Sequence, residues 1–244
     1  MDLEPACCAF RPVSVDRRAL LGALAGLALS GAGITVAEAA AMSAQERDKL
    51  TPDEVLAMLE QGNERFRTGR MKTHDYLAQK RATASGQYPA AAILSCIDSR
   101  APAEIILDTG IGDAFNARVA GNIANDDMLA SLEFACAAAG AKLILVMGHT
   151  ACGAIKGAID AVGLGHLTEL LHRIKPAVAA TAYEGARTSK NAAFVDAVAV
   201  TNVRRTLEQI RQQSSVLADL EKAGKLKIVG SMYHLQDGQL EVLG

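Results

Sequence analysis

The chain of 244 residues is 50% hydrophobic, 21% charged and 4% aromatic, and its formal net charge is −2 at pH 7. This composition excludes intrinsically disordered and collagen-like proteins, and the balanced charge provides no basic field, so we expect no nucleic-acid partner. Five cysteines are too few for a disulfide scaffold, and the length allows one large domain or two small ones.

The beginning of the chain has the pattern of an export signal. Arg17 and Arg18 precede an uncharged apolar stretch, and small residues that resemble a cleavage site follow it. Adjacent arginines at this place indicate the twin-arginine type, which predicts cleavage after Ala39 and delivery to the bacterial periplasm. We therefore interpret residues 1–40 as a removable signal and residues 41–244 as a single functional domain.

Two alternatives for this apolar stretch stay open, a retained membrane anchor and a buried helix. The stretch is just long enough to span a bilayer, but its glycines weaken a helix. No other segment of the sequence is long enough to cross a membrane, so membrane contact is expected only through an uncleaved signal.

Helices and strands are predicted to alternate along the rest of the chain. The capping box Thr51-Pro52-Asp53-Glu54 predicts a helix over 51–67. Apolar runs at 90–95 and 113–119 predict strands, and because neither alternates cleanly we expect both to be buried on both faces. The run KLILVM at 142–147 is the strongest strand pattern. The remaining predictions are helices over 126–139, 153–162, 167–180 and 192–213, a core strand over 225–233, and a short last strand after Asp237-Gly238.

This alternation predicts an α/β fold with a central, mostly parallel β-sheet flanked by helices. Sites in such sheets form at the carboxyl ends of the strands. Cys96 follows the first predicted strand, and His149 and Cys152 follow KLILVM. If these strands are neighbours, two thiolates and one imidazole converge, which is a donor set that suits one Zn²⁺ ion.

Asp98 and Arg100 decide how many ligands such an ion would have. Three protein ligands leave a position for water, as in catalytic zinc sites, whereas a fourth ligand closes the site. Asp98 is close enough to Cys96 in sequence to be that fourth ligand, but Arg100 can hold its carboxylate in a bidentate pair. The site is therefore expected to be open when Arg100 holds Asp98 and closed when it does not.

The motifs CIDSR and GHTACGAIKG resemble those of the β-class carbonic anhydrases, and the resemblance covers most of the chain after the signal. It implies a β-carbonic anhydrase-like fold with one Zn²⁺ per subunit, bound by Cys96, His149 and Cys152. It also implies that Asp98 and Arg100 are the catalytic dyad, with Asp98 a metal ligand in the closed form only.

The same resemblance assigns four residues to the substrate pocket. Gln87 matches a glutamine that donates a hydrogen bond to the bound anion, and Phe115 and Phe134 match aromatic residues that line an apolar CO₂ pocket. Gly153 follows the last ligand, where its backbone can approach the site closely. The family also implies a homodimer, or a tetramer or octamer built from dimers.

The implied activity is the reversible hydration of CO₂ to bicarbonate and a proton by a zinc-bound hydroxide. Zinc lowers the pKa of bound water, and because two thiolates donate more charge than imidazoles we expect an enzyme that favours alkaline pH. Two alternatives stay open: a zinc hydrolase acting on CS₂ or COS, and a non-catalytic module that binds zinc or bicarbonate. A redox thiol protein is disfavoured because the sequence has no C-x₂-C pair.

Overall fold

The structure is a computed structural model that describes residues 41–244, all within one compact unit, Glu38–Gly244. The predicted export signal at 1–40 lies outside the described residues. Within the described residues, no helix has the length and apolar character needed to cross a bilayer.

The described residues alternate between helices and strands after three initial helices. The helices are α1 (Ala44–Lys49), α2 (Pro52–Arg67), α3 (Tyr76–Thr83), α4 (Ala103–Ile106), α5 (Asp126–Glu133), α6 (Gly153–Ile159), α7 (Gly165–Ala180), α8 (Ala192–Gln213) and α9 (Ser215–Lys222). The strands are β1 (Ala91–Ser95), β2 (Ala114–Arg118), β3 (Leu143–His149), β4 (Lys227–Tyr233) and β5 (Leu240–Leu243).

The strands form one sheet in the order β2-β1-β3-β4-β5, in which β2, β1, β3 and β4 run parallel and β5 pairs antiparallel with β4. The prediction of a mostly parallel sheet flanked by helices is confirmed. β1 and β3 are adjacent and every one of their residues is buried. Their carboxyl ends therefore lie side by side at one edge of the sheet.

Helices cover both faces of this sheet and produce two apolar clusters. One cluster joins Leu94, Val146 and Ile155 to the buried side of α8, and the other joins Ile93 and Leu145 to α2 and α4. The predicted capping box at the start of α2 is present, because Thr51 and Glu54 exchange hydrogen bonds in both directions. Burial of β1 and β3 between these clusters explains why their sequences are continuous apolar runs.

The prediction that the strand at 113–119 is buried on both faces is wrong. β2 is the edge of the sheet, and its residues are half-buried except for Asn116, which is exposed. An edge strand has a neighbour on one side only, so its side chains are less covered than those of β1. The polar residues Asn116 and Arg118 within this strand agree with this position.

Other boundaries differ at places where local patterns are weak. The helix predicted over 126–139 keeps α-helical geometry only to Glu133 and continues as one wider π-turn over Phe134–Ala138. β3 extends past KLILVM to include His149, which was predicted to follow the strand. The short helices α1, α3, α4 and α9 were not predicted. Of these, α4 connects β1 to β2, and α9 connects α8 to β4.

Candidate metal centre

Three predicted ligands meet where β1 and β3 end. Ser95 is paired with Met147 across these strands, which brings Cys96 and His149 to the same end of the sheet. Cys152 is the N-cap of α6 and is reached by a tight turn after β3. One donor atom from each of Cys96, His149 and Cys152 lies within 4.8 Å of the other two, and all three residues are buried. The convergence expected from the sequence is therefore observed.

The imidazole of His149 has the orientation of a metal ligand. Its Nδ1 lies 2.9 Å from the carbonyl oxygen of Thr150 and can donate a hydrogen bond to it. Its Nε2 is buried and has no hydrogen-bond partner within residues 41–244. A buried polar atom without a partner is costly, and a cation at this point would satisfy it. This free nitrogen beside two sulfurs fits Zn²⁺.

The thiols of Cys96 and Cys152 lie close together, but their pKa values shift in opposite directions. The hydrogen bond with Cys152 lowers the pKa of Cys96, and contact with His149 and the Gly121 amide adds to this effect. The same hydrogen bond, together with burial, raises the pKa of Cys152. The pair therefore favours one thiolate and one thiol, and a bound cation would displace the remaining proton.

Asp98 and Arg100 form the predicted pair beside these ligands. The Arg100 Nε and Nη2 donate to the two Asp98 carboxylate oxygens at 2.9 and 2.8 Å, and the Arg100 amide donates at 2.9 Å. These hydrogen bonds hold the pKa of Asp98 well below its usual range. Asp98 Oδ2 lies 3.8 Å from His149 Nε2, so the carboxylate is next to the ligand cluster.

Arg118 stabilises the turn between Cys96 and Asp98, a role that was not predicted. Its guanidinium donates to the carbonyl oxygens of Cys96 at 2.9 Å and of Asp98 at 2.6 Å. Arg118 is the last residue of β2, so the edge strand supports the turn that follows β1. A charged residue at the end of an otherwise apolar run is the one sequence pattern that could have indicated it.

Phe115 of β2 and Phe134, which follows α5, lie against each other. Their ring centroids are 6.1 Å apart at a 72° interplanar angle. They line a cavity of about 380 Å³ between β2 and α5, and none of its lining residues is a predicted metal ligand. Phe134 is 58% exposed, so this cavity opens to the surface. Their role as a CO₂ pocket stays a prediction.

Gln87 and Gly153 are both exposed. Gln87 lies in the connection between α3 and β1, and Gly153 is the first residue of α6. A Cβ atom added at Gly153 would meet no atom within 4 Å, so packing among the described residues does not require glycine there. Both assignments to the substrate pocket stay predictions.

The fold and this cluster define a class of protein: an α/β protein whose parallel sheet carries a Cys-His-Cys site at its carboxyl edge. The sequence model of the family described as carbonic anhydrase matches residues 91–240. The chain is 35% identical over 187 residues to carbonic anhydrase 2 of Mycobacterium tuberculosis, covering 74% of this chain and 87% of the relative. It is 33% identical over 190 residues to the carbonic anhydrase of Mycolicibacterium smegmatis, covering 75% and 89%.

Solved structures agree with the sequence comparison. The β-carbonic anhydrase CafA of Aspergillus fumigatus superimposes with a TM-score of 0.62 at 26% identity, covering 78% of this chain and 89% of that chain. A structure from a study of two tetrameric β-carbonic anhydrases of Sordaria macrospora has a TM-score of 0.58 at 27% identity, covering 66% and 83%. The chain belongs to the carbonic anhydrase family, and its fold is that of the β-carbonic anhydrases.

Proposed function

We propose that this chain catalyses the reversible hydration of CO₂ to bicarbonate and a proton, with one Zn²⁺ per subunit held by Cys96, His149 and Cys152. The observation that carries the proposal is the convergence of these three buried donors beside a carboxylate that Arg100 holds. A Zn²⁺ ion bound there would lower the pKa of a coordinated water toward neutrality and so supply a nucleophile.

Asp98 has the chemistry needed to orient that nucleophile. Because Arg100 keeps the carboxylate ionised, Asp98 can only accept hydrogen bonds, and it is positioned to accept one from water at the ligand cluster. The bidentate pair also directs Asp98 away from a role as a ligand. This arrangement matches the open form expected from the sequence and supports an active rather than a closed site.

The experiment that tests the proposal is stopped-flow CO₂ hydration by protein of measured zinc content, up to about pH 9. We expect turnover that requires zinc and rises toward alkaline pH. Hydrolysis of CS₂ and COS is measured on the same samples, and a preference for either would replace CO₂ as the substrate. Absence of all three activities in fully zinc-loaded protein would instead support a non-catalytic binding module.

We also propose that the subunits assemble as homodimers, or as tetramers or octamers built from dimers. The outer edge of β2 has no partner strand among the described residues, and the exposed Phe134 lies beside it. A second copy would cover this apolar surface. We expect Phe134→Glu to shift the protein toward monomers in sedimentation velocity, whereas Leu164→Glu, at a similarly exposed residue that does not line the cavity beside β2, should not. An unchanged assembly in Phe134→Glu would contradict this interface.

Export to the periplasm is likewise our proposal, supported by the pattern within residues 1–40. We expect Arg17→Lys with Arg18→Lys to keep a tagged chain in the cytoplasmic fraction and to prevent shortening of its N-terminus. Lysine preserves the positive charge, so this change tests the twin-arginine pattern itself. Processing and export that proceed normally in this variant would rule out the twin-arginine route.

A further inference from the structure

Two segments beside the metal ligands contain left-handed backbone: the loop after β2, which contacts Cys96, and the turn between His149 and Cys152. Gly121 and Asn122 have φ of 71° and 44°, and Ala151, between His149 and Cys152, has φ of 54°. Left-handed backbone costs free energy for residues that have a side chain. Such residues keep this conformation where contacts with the surrounding structure stabilise it. Contacts from outside the two loops are therefore needed to maintain their shape.

Helix α8 contacts the loop after β2, which contains Gly121 and Asn122. Asn202, which is buried, donates from Nδ2 to the carbonyl oxygen of Gly121 at 2.8 Å. Thr206, one turn further along, donates to the carbonyl oxygen of Asn122 at 3.4 Å. The Gly121 amide in turn donates to the Sγ of Cys96 at 3.3 Å. A continuous set of hydrogen bonds thus leads from α8 to a sulfur of the ligand cluster.

The same helix also contacts the loop that joins the other two ligands. Asp196 accepts a hydrogen bond from the amide of Ala151 at 2.8 Å. Ala151 is the left-handed residue of that loop, so the contact acts at the point where the backbone is least favourable. α8 therefore contacts both the loop beside Cys96 and the turn between His149 and Cys152.

We propose that Asn202 and Asp196 are positioning residues for the metal: Asn202 holds the loop that contacts Cys96, and Asp196 holds the turn between His149 and Cys152, so that α8 sets zinc affinity and the electron density on the Cys96 sulfur. This inference rests on the zinc site of the proposed function. An N–H···S hydrogen bond draws charge from a thiolate, and outer contacts of this kind orient the ligand and adjust the metal. Neither residue touches the substrate in this proposal.

The test compares zinc affinity among four folded variants of the full domain, measured by competition with a chromophoric chelator. Asn202→Leu keeps the size of the side chain but removes the donor, and Asp196→Ala removes the acceptor. Asp196→Asn retains an oxygen acceptor without the charge. Thr201→Val is the matched control, because Thr201 is on the same helix and its hydroxyl bonds to Thr181 and Ala197 instead of either loop.

We expect Asn202→Leu to weaken zinc binding about 10- to 100-fold and Asp196→Ala about tenfold. Asp196→Asn and Thr201→Val should both stay close to wild type. In Co²⁺-substituted protein, Asn202→Leu should also move the thiolate-to-metal charge-transfer band, which a purely structural contact would not do. If Asn202→Leu fails to fold, the Asp196 pair still tests the proposal.

Equal zinc affinity in Asn202→Leu and Thr201→Val, with an unmoved band, would overturn the role of Asn202. Asp196→Asn that is as weak as Asp196→Ala would overturn the role of Asp196 as an acceptor. A wild-type domain that binds no zinc would instead refute the proposed function, so the two failures are distinguishable.

Discussion

Replacing Asp98 with alanine is expected to leave zinc bound and to reduce CO₂ hydration at neutral pH by about 100-fold or more, the usual scale for loss of a positioned proton acceptor. The three hydrogen bonds from Arg100 orient this carboxylate and lower its pKa, so it is an ionised acceptor at neutral pH. Among the described residues, the Asp98 carboxylate accepts its hydrogen bonds from Arg100 and none from Cys96, His149 or Cys152. Stopped-flow hydration and metal analysis on the same preparation measure the two effects separately.

Asp160→Ala is a suitable control for this experiment. Asp160 is a carboxylate outside the cluster that accepts a hydrogen bond from Ser189, so its removal changes charge by the same amount without touching the ligands. We expect this variant to hydrate CO₂ like the wild type. Near-normal turnover in zinc-loaded Asp98→Ala would mean that the carboxylate does not orient the nucleophile, and zinc lost from that variant would mean that it is a ligand.

Cys152→Ser is expected to abolish zinc binding and to lower the Tm. A serine hydroxyl stays protonated near neutral pH, so it replaces a thiolate poorly as a ligand. Zinc present at about 100 times its Kd stabilises a folded protein by about 2.7 kcal/mol. Loss of that contribution corresponds to about 5–10 °C in a domain of this size. Metal content and thermal unfolding with and without chelator provide the measurement.

Cys136→Ser supplies the matched control, because Cys136 is also a buried free cysteine but lies outside the cluster. Burial raises the pKa of its thiol to about 12, so it stays protonated and serves as a small apolar side chain. We expect this variant to keep its zinc while losing about 1–3 kcal/mol of stability from the buried hydroxyl. One zinc retained in Cys152→Ser would rule out its role as a ligand.

The position of the ligand cluster was predictable because strong local patterns determine it. β1 and β3 are apolar throughout, and ligand residues occur where each strand ends, so adjacency of the two strands was enough to bring Cys96 and His149 together. The bidentate pair of Asp98 with Arg100 was equally local, since the two residues are two positions apart. Short-range spacing therefore carries most of the information about this site.

The supporting contacts were not predictable, because they join distant parts of the chain. Asn202 and Gly121 are 81 positions apart. The spacing of Asn202 from Val198 places it on the apolar face of α8, but no sequence pattern indicates which group it would bond to. The edge position of β2 likewise follows from strand order, which the apolar run at 113–119 does not encode. The π-turn at Phe134 has no pattern that separates it from the helix before it.

The adjacency of β1 and β3 has a consequence for when the ion can enter. β2 lies between β1 and β3 in sequence, but in the sheet it pairs with the outer edge of β1. After β1 the chain therefore forms β2 on one side of β1 and then crosses to the other side as β3, where His149 faces Cys96. From this strand order we expect metallation to complete an assembled domain rather than to serve as a template for its formation. If the export that we propose takes place after the ion is bound, the domain would cross the membrane in its folded form, which the twin-arginine route permits.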